Sequence, residues 1–206
     1  MNIFFLSVTD HLNEDLRLRL KKEISERGNL IAYISSEPQD ANREYYYSTV
    51  EDYVRINNDI KVDYFDLSEN FSDDDLQRLL NYKTIYLSGG NTYVFMDAAR
   101  KRNILPILKK HLGDNGLLIG ASAGAIMMAP SIDLAGIEDE NIPQTKDTSG
   151  FNFVNFEFHP HFKEEDKSFL DEYTKNRGVG LYVCKDGDGI FYSNGKMTLF
   201  GETVKW

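Results

Sequence analysis

A strand, a sharp turn and a helix are predicted around the pentapeptide Gly-Ala-Ser-Ala-Gly at residues 120–124. An apolar run at 117–119 precedes the pentapeptide, and a helix-prone segment at 125–129 follows it. Small residues beside a serine let strand and helix approach closely, and they hold the serine in a strained turn with its hydroxyl exposed at the start of the helix. The chain is therefore expected to contain a strand-turn-helix unit in which Ser122 is a nucleophile.

Strands and helices are predicted to alternate over the first 130 residues. Apolar runs predict strands at residues 3–8, 30–34, 60–65 and 84–87, with helices between them. This alternation is typical of an α/β fold, a mainly parallel sheet with helices on both faces, in which ligands bind at the carboxyl ends of the strands. The segment Ser-Gly-Gly-Asn at 88–91 and Ser122 both follow strands, so we expect their loops to be neighbours.

Two other stretches complete the predicted organisation. The tyrosine-rich segment at 38–58 is predicted to be helical, with its tyrosines on a partly buried face or lining a pocket. Beyond residue 130 the sequence predicts an acid-rich loop and then further strands and a helix, at 132–147 (loop), 151–158, 164–176 (helix), 179–184, 189–192 and 197–200. No linker or repeat divides residues 1–206, which favours a single domain.

Composition narrows the classes of partner. The formal net charge is −10 and the isoelectric point is near 4.9, which argues against nucleic acid or an anionic membrane surface because phosphate binding needs a basic face. A small peptide is the expected substrate, no cofactor is predicted, and a homodimer is an open alternative to a monomer. The single cysteine, Cys184, excludes an intramolecular disulfide, and this favours a reducing, cytoplasmic location.

Histidine is the usual base for a serine nucleophile, because its pKa lies near the working pH. The chain has four histidines, of which the pair in His-Pro-His at 159–161 follows a predicted strand. Because proline cannot donate to a sheet ladder, the strand is expected to end there and to deliver a histidine to the rim of loops. We predict His161 as the base and His159 as the alternative.

A carboxylate is expected to orient the imidazole, and backbone N–H groups are expected to bind the oxyanion. The acid-rich turn between Ser122 and His161 offers Asp139 and Glu138; Asp139 is preferred, although the sequence does not select between them. Gly90 and Ala123 are predicted to donate the oxyanion hydrogen bonds. Residues predicted to contact the substrate are Gly89, Asn91, Thr92 and His159.

These motifs together resemble peptidase family S51, which includes peptidase E and cyanophycinase. The matching segments are Ser-Gly-Gly-Asn-Thr at 88–92, Gly-Ala-Ser-Ala-Gly-Ala at 120–125 and His-Pro-His-Phe at 159–162. The resemblance implies a class I glutamine amidotransferase-like fold in which serine replaces cysteine. It also implies a Ser-His-acid triad that hydrolyses a peptide bond next to an N-terminal aspartate.

The sequence departs from peptidase E after the histidine. In peptidase E this stretch carries arginines suited to an aspartate side chain, whereas residues 162–167 here are mainly acidic. Lys163 and Arg177 are candidates to replace those arginines, although a lysine lacks the bidentate fork of a guanidinium.

Three alternatives to a serine exopeptidase remain. An esterase or another amide hydrolase would use the same turn at Ser122. A non-catalytic protein would hold an anion at the glycine loop and at the helix that follows Ser122. A metal site would use Glu157, His159 and His161, which recur with the period of a strand face.

Overall fold

The computed structural model describes residues 1–36, 39–68, 71–175 and 177–206, and from 39 to 43 it describes the backbone alone. Regular elements in this part of the chain alternate as the sequence predicts through residue 127. The strands are Asn2–Leu6 (β1), Leu30–Ser35 (β2), Lys61–Asp66 (β3), Thr84–Leu87 (β4), Leu117–Ala121 (β5), Phe156–His159 (β6), Gly180–Val183 (β7), Gly189–Ser193 (β8), Lys196–Phe200 (β9) and Val204–Lys205 (β10). The α-helices are Glu14–Ser25 (α1), Gln39–Ile56 (α2), Asp73–Arg78 (α3), Thr92–Lys101 (α4), Leu105–Gly113 (α5), Ala123–Met127 (α6) and Lys167–Thr174 (α7).

The strands form two sheets. In the larger sheet the order is β3-β2-β4-β5-β1-β8-β9, and the first five of these strands are parallel. β8 and β9 extend that sheet as an antiparallel hairpin. In the smaller sheet β6 pairs in parallel with β7, and β10 pairs antiparallel with β7. The predicted α/β class with a mainly parallel sheet is confirmed.

Apolar side chains on the two faces of the large sheet build two separate cores. Along β1, Ile3 and Phe5 belong to the core that includes residues of α4, α5 and α6. Phe4 and Leu6 belong to the other core, with residues of α1 and α2. Successive strand side chains point to opposite faces, so a strand that is apolar throughout requires helices on both sides of the sheet.

The predicted strand at 151–158 is shorter in the structure, where only its last residues form β6. The N–H groups of Phe151 and Phe153 donate to the carbonyl oxygens of Met127 and Met128, at 2.7 and 3.1 Å. These bonds satisfy carbonyl groups at the end of α6. The backbone N–H groups of Phe151 and Phe153 therefore bind the helix end and do not join a sheet. Two predicted ends, the start of the helical segment at Pro38 and the end of the later helix at Asn176, lie outside the described residues.

Loops from five strands meet at one edge of the fold. β4, β5 and β1 are neighbours in the large sheet, and their carboxyl ends lead to Gly90, Ser122 and Ser7. In the small sheet His159 of β6 is in register with Val183 of β7, so the segments after these two strands leave side by side. Functional groups from both sheets can therefore meet at this edge. None of the helices in the described part of the chain combines the length and the apolar composition that a membrane-spanning segment needs.

Candidate active site

Ser122 occupies the turn between β5 and α6 with φ 49° and ψ −115°. L residues rarely adopt this conformation, and its strain is typical of functional sites. Close packing explains the small residues beside it. A Cβ at Gly124 would lie 2.3 Å from the carbonyl oxygen of Leu87, and a Cβ at Gly120 would lie 2.5 Å from that of Gly124.

His161 is the histidine that reaches Ser122. Its Nε2 lies 2.9 Å from the Ser122 Oγ, and its backbone has a left-handed φ of 56°. Asn, Asp and His adopt this region more readily than other non-glycine residues. His159, the alternative from the sequence, faces Asp166 instead.

The carboxylate beside His161 is Asp186, which the sequence analysis missed. Asp186 Oδ1 lies 2.6 Å from His161 Nδ1. The residue follows β7, the strand next to the one that delivers His161. An acid just after a predicted strand was visible in the sequence, but the pairing of β6 with β7 was not.

Asp139 and Glu138, the two predicted acids, bind elsewhere. Asp139 Oδ2 accepts a 2.8 Å hydrogen bond from the Thr92 N–H at the start of α4. The Glu138 carboxylate lies 3.7 Å from Lys163 Nζ. The expectation that the acid-rich loop supplies the carboxylate for His161 is therefore corrected: that loop packs against α4, while the segment after β7 faces the imidazole.

Ser7, at the end of β1, connects these groups and was also missed. Its hydroxyl donates to Asp186 Oδ1 at 2.6 Å and accepts from the His161 N–H at 2.8 Å. The residue is fully buried. Ser7 therefore holds both the backbone of the histidine and the carboxylate that faces its ring.

The pKa of Asp186 is lowered from its ordinary value. Burial acts to raise it, but hydrogen bonds from Ser7 and His161 and the electrostatic interactions with His161 and Lys163 outweigh burial. Hydrogen bonds to the charged form stabilise that form. Asp186 is consequently an ionised carboxylate at neutral pH.

The glycine loop lies against the turn at Ser122, as the sequence predicts. The Gly124 N–H donates to the Ser88 carbonyl oxygen at 3.0 Å, and a Cβ at Gly89 would lie 3.5 Å from the Ser122 Cβ. Gly90 has a φ of 115°, which side chains rarely tolerate. Among the hydrogen bonds of the described residues, the N–H groups of Gly90 and Ala123 have no acceptor.

Asn91 and Thr92 begin α4. The Asn91 side chain accepts from the Val94 N–H at 3.0 Å and donates to the Glu140 carbonyl oxygen at 2.9 Å. With the bond from Thr92 to Asp139, these contacts fasten the acid-rich loop to the helix. Thr92 and His159 also line a small cavity of about 30 Å³ that reaches Ser122.

The side chains of the alternative metal site face different partners. His159 is buried with its Nε2 3.2 Å from Asp166 Oδ2, and burial lowers its pKa. Glu157 Oε1 lies 3.1 Å from the Arg177 Nη1. In the described ranges no group of three or more His, Cys, Asp or Glu side chains is placed to hold a metal ion.

A larger cavity of about 470 Å³ opens beside Ser122 and His161. The glycine loop and the segment after β1 line it on the side of the strand ends, and α2 lines it on the other side. Its volume is in the range of small-ligand sites. Tyr45 of α2 lines this cavity, whereas the Tyr46 hydroxyl donates to the Val62 carbonyl oxygen at 3.0 Å.

A sequence profile described as peptidase family S51 matches residues 5–200 of this chain. The chain belongs to peptidase family S51. Among S51-like relatives, uncharacterized peptidases of Pasteurella multocida (strain Pm70) and Listeria monocytogenes (serovar 1/2a) are 29% and 26% identical over 120 and 114 residues. These matches cover 55% and 52% of this chain and 58% and 55% of the relatives, so the chain spans little more than half their length.

Solved structures support the same fold for this S51 member. A crystal structure of a protein provisionally assigned as peptidase E, from Listeria monocytogenes EGD-e, is 18% identical with a TM-score of 0.78. The alignment covers 100% of this chain and 98% of that one. A peptidase from an acI-B1 Actinobacterium is 14% identical with a TM-score of 0.65, and the alignment covers 100% and 96% of the two chains. The fold is the class I glutamine amidotransferase-like α/β arrangement that the resemblance implied.

Proposed function

We propose that this S51 member is a serine exopeptidase of the peptidase E type that hydrolyses short peptides through an acyl-enzyme. The observation that carries the proposal is the continuous contact from Ser122 through His161 to Asp186, with distances of 2.9 and 2.6 Å. A nucleophile, a base and a group that orients the base define this chemistry by their geometry.

In the first half of the reaction, the Ser122 Oγ attacks the peptide carbonyl carbon while His161 Nε2 accepts the hydroxyl proton. Asp186 accepts the hydrogen bond from Nδ1–H, which keeps Nε2 free as a base and stabilises the imidazolium that forms. The tetrahedral intermediate places negative charge on the former carbonyl oxygen. The N–H groups of Gly90 and Ala123 are the donors for it, a role worth roughly 3–4 kcal/mol per donor in other enzymes.

The intermediate then collapses, and the C–N bond breaks as His161 gives its proton to the leaving amine. Water attacks the acyl-enzyme while His161 accepts its proton, and the C–O bond to Ser122 breaks as His161 returns that proton to the Ser122 Oγ. The products are a carboxylate and an amine. Ser7 acts as a positioning residue, because it holds both Asp186 and the His161 backbone without facing the reacting atoms.

The test is hydrolysis of a dipeptide panel by the wild type and by Ser122→Ala. The panel contains Asp-Leu, Glu-Leu, Ala-Leu, Lys-Leu and an isoaspartyl dipeptide, and p-nitrophenyl acetate serves as the ester probe. Ser193→Ala is the matched control, because Ser193 donates a hydrogen bond to Asn2 at 2.8 Å on β8, outside the described cavities.

We expect peptide cleavage by the wild type and the control and none by Ser122→Ala. Ester cleavage without peptide cleavage would favour the esterase alternative. Peptide binding that survives Ser122→Ala, with no turnover by the wild type, would favour a non-catalytic binding protein. The single domain, the homodimer and the cytoplasmic location stay predictions.

A further inference from the structure

The cavity of about 470 Å³ is continuous with the candidate catalytic residues, because Ser122 and His161 are among the residues that line it. A peptide attacked by Ser122 would therefore place a neighbouring group in this space. The chemical class of that neighbouring group can be inferred from the lining of the cavity, and this inference rests on the proposed function.

Charges around the cavity are mainly negative. Among the described lining residues the carboxylates are Asp10, Glu51 and Asp52. The positively charged side chain among these described residues is that of Arg55, and His11 adds an imidazole. Arg177 and Lys163, considered from the sequence as anion binders, are not on this wall. Arg177 instead pairs with Asp133 and Glu157, and Lys163 lies near Glu138.

Asp52 is the carboxylate that is least accessible to water. Its side chain is 11% exposed, whereas that of Arg55 is 72% exposed. Arg55 Nη1 lies 3.0 Å from Asp52 Oδ1 as an i,i+3 pair along α2, and its guanidinium also reaches Glu51 at 3.4 Å. A pair whose cation is this exposed contributes little free energy, so Arg55 compensates the largely shielded carboxylate only in part.

The electrostatic environment of Asp52 supports the same point. Burial raises the pKa of Asp52, and although Arg55 and His11 act to lower it, the nearby charges of Asp10 and Glu51 raise it further. The ionised carboxylate is therefore less stable here than it would be in water. A ligand cation beside it would relieve that cost.

Aromatic rings form another part of the wall. Tyr33 and Tyr86 are buried, line the cavity, and stack on each other with centroids 5.0 Å apart. These rings add apolar surface and no positive charge beside the carboxylates. An aspartate side chain would therefore meet like charge there.

We propose that this cavity selects substrates with a positively charged group, an ammonium or a guanidinium, and that Asp52 is the specificity-determining residue. Two parts of a peptide carry such a group: its free α-amine, and the side chain of lysine or arginine. Asp52 would replace part of its contact with the exposed Arg55 by a contact with the ligand.

The experiment compares kcat/KM for Lys-Leu, Met-Leu, Asp-Leu and N-acetyl-Lys-Leu. Lys-Leu is expected to exceed Asp-Leu by about 10- to 100-fold, the range for a hydrogen bond to a charged group. Lys-Leu above Met-Leu identifies the side chain as the cation. Equal kcat/KM values for Lys-Leu and Met-Leu, together with no cleavage of N-acetyl-Lys-Leu, identify the α-amine as the cation.

Asp52→Asn is expected to lower kcat/KM for Lys-Leu by about 10-fold or more and to move the preference toward Asp-Leu, because Arg55 loses one of its two carboxylate partners. The matched control is Asp97→Asn. Asp97 also pairs with a cation along its own helix, Lys101 at 2.6 Å, but does not line the cavity. If Asp52→Asn does not fold, Asp10→Asn is the second variant. It removes a carboxylate from the lining of the same cavity, and its kcat/KM values for the same dipeptides give the readout.

Binding of the same dipeptides to Ser122→Ala by calorimetry separates this inference from the proposed function. Tight binding of Lys-Leu that depends on Asp52, with no hydrolysis by the wild type, would keep the cation site and overturn the peptidase. Cleavage of both Asp-Leu and N-acetyl-Lys-Leu as fast as Lys-Leu, or an Asp52→Asn variant that behaves like Asp97→Asn, would overturn the cation site and keep the peptidase.

Discussion

Asp186 and His161 are 25 residues apart in the chain, and their Oδ1 and Nδ1 atoms lie 2.6 Å apart. The contact exists because β6 and β7 are parallel neighbours, and backbone hydrogen bonds join the segments at their carboxyl ends. The Cys184 N–H donates to the His159 carbonyl oxygen at 2.9 Å, and the Phe162 N–H donates to the Cys184 carbonyl oxygen at 3.0 Å. The two segments that carry the imidazole and the carboxylate are thus fixed relative to each other.

Asp186→Asn is expected to lower kcat by about 10³- to 10⁴-fold, because the amide favours the wrong tautomer of His161. Asp139→Asn is the matched variant in the acid-rich loop. It should leave kcat within a few-fold and reduce the free energy of unfolding by about 1 kcal/mol, since it weakens the cap on α4. Steady-state kinetics and urea denaturation provide both readouts. A larger loss of kcat in Asp139→Asn than in Asp186→Asn would contradict the assignment.

Ser7→Ala removes the hydroxyl that holds Asp186 and the His161 backbone. We expect kcat to fall by about 10- to 100-fold with little change in KM, because Ser7 orients the base without binding the substrate in the proposed mechanism. Ser193→Ala loses a comparable hydrogen bond, to Asn2, and should keep full activity. Equal kcat values in the two variants would show that Ser7 serves only the fold.

The Asp186 carboxyl should not titrate between pH 8 and its ordinary pKa of 3.8, because its pKa is lowered and the carboxylate stays charged there. Any fall of log kcat/KM in that range should therefore have a slope of one at most. A slope of two, measured in buffers of constant ionic strength, would mean that the carboxyl group titrates there as well.

The lowered pKa of Asp186 also has a consequence for stability. A carboxyl group whose pKa is lower in the folded protein stabilises the fold above its unfolded pKa, and this contribution is lost as the pH falls through the folded value. Wild type and Asp186→Asn should therefore differ in free energy of unfolding at pH 6, and the difference should shrink as the pH falls below the ordinary pKa of 3.8. Urea denaturation at several pH values measures the difference, and a gap that widens in acid would contradict the sign.

Gly124→Ala should destabilise the protein and reduce activity, because a Cβ there would lie 2.3 Å from the Leu87 carbonyl oxygen. The expected loss is about 1–3 kcal/mol or more, as for other overpacked sites. Gly113→Ala is the control, since no described atom lies within 4 Å of its Cβ position. Thermal denaturation of both variants tests this, and an unchanged melting temperature in Gly124→Ala would show that β4 and α6 separate at little cost.

Local patterns were enough to predict the parallel sheet and the turn at Ser122, because both depend on residues close in sequence. A strand buried on both faces is apolar throughout, and a tight strand-turn-helix requires small residues at fixed positions. The bounds of β4 agree with the predicted segment at 84–87. The positions of Ser122 and His161 at the ends of predicted strands were local as well, although their contact depends on how the two sheets pack.

The carboxylate, the residue that supports it and the charge of the cavity depended on which segments become neighbours in space. Asp186 meets His161 through the pairing of β7 with β6, and Ser7 meets both through the large sheet. The sequence gives no local signal for such pairings, because strand neighbours are chosen by packing over the whole chain. The acid-rich loop had the right residue types and a suitable position in the chain, but its Asp139 carboxylate binds the start of α4. The packing of the two sheets places Asp186 beside the imidazole instead.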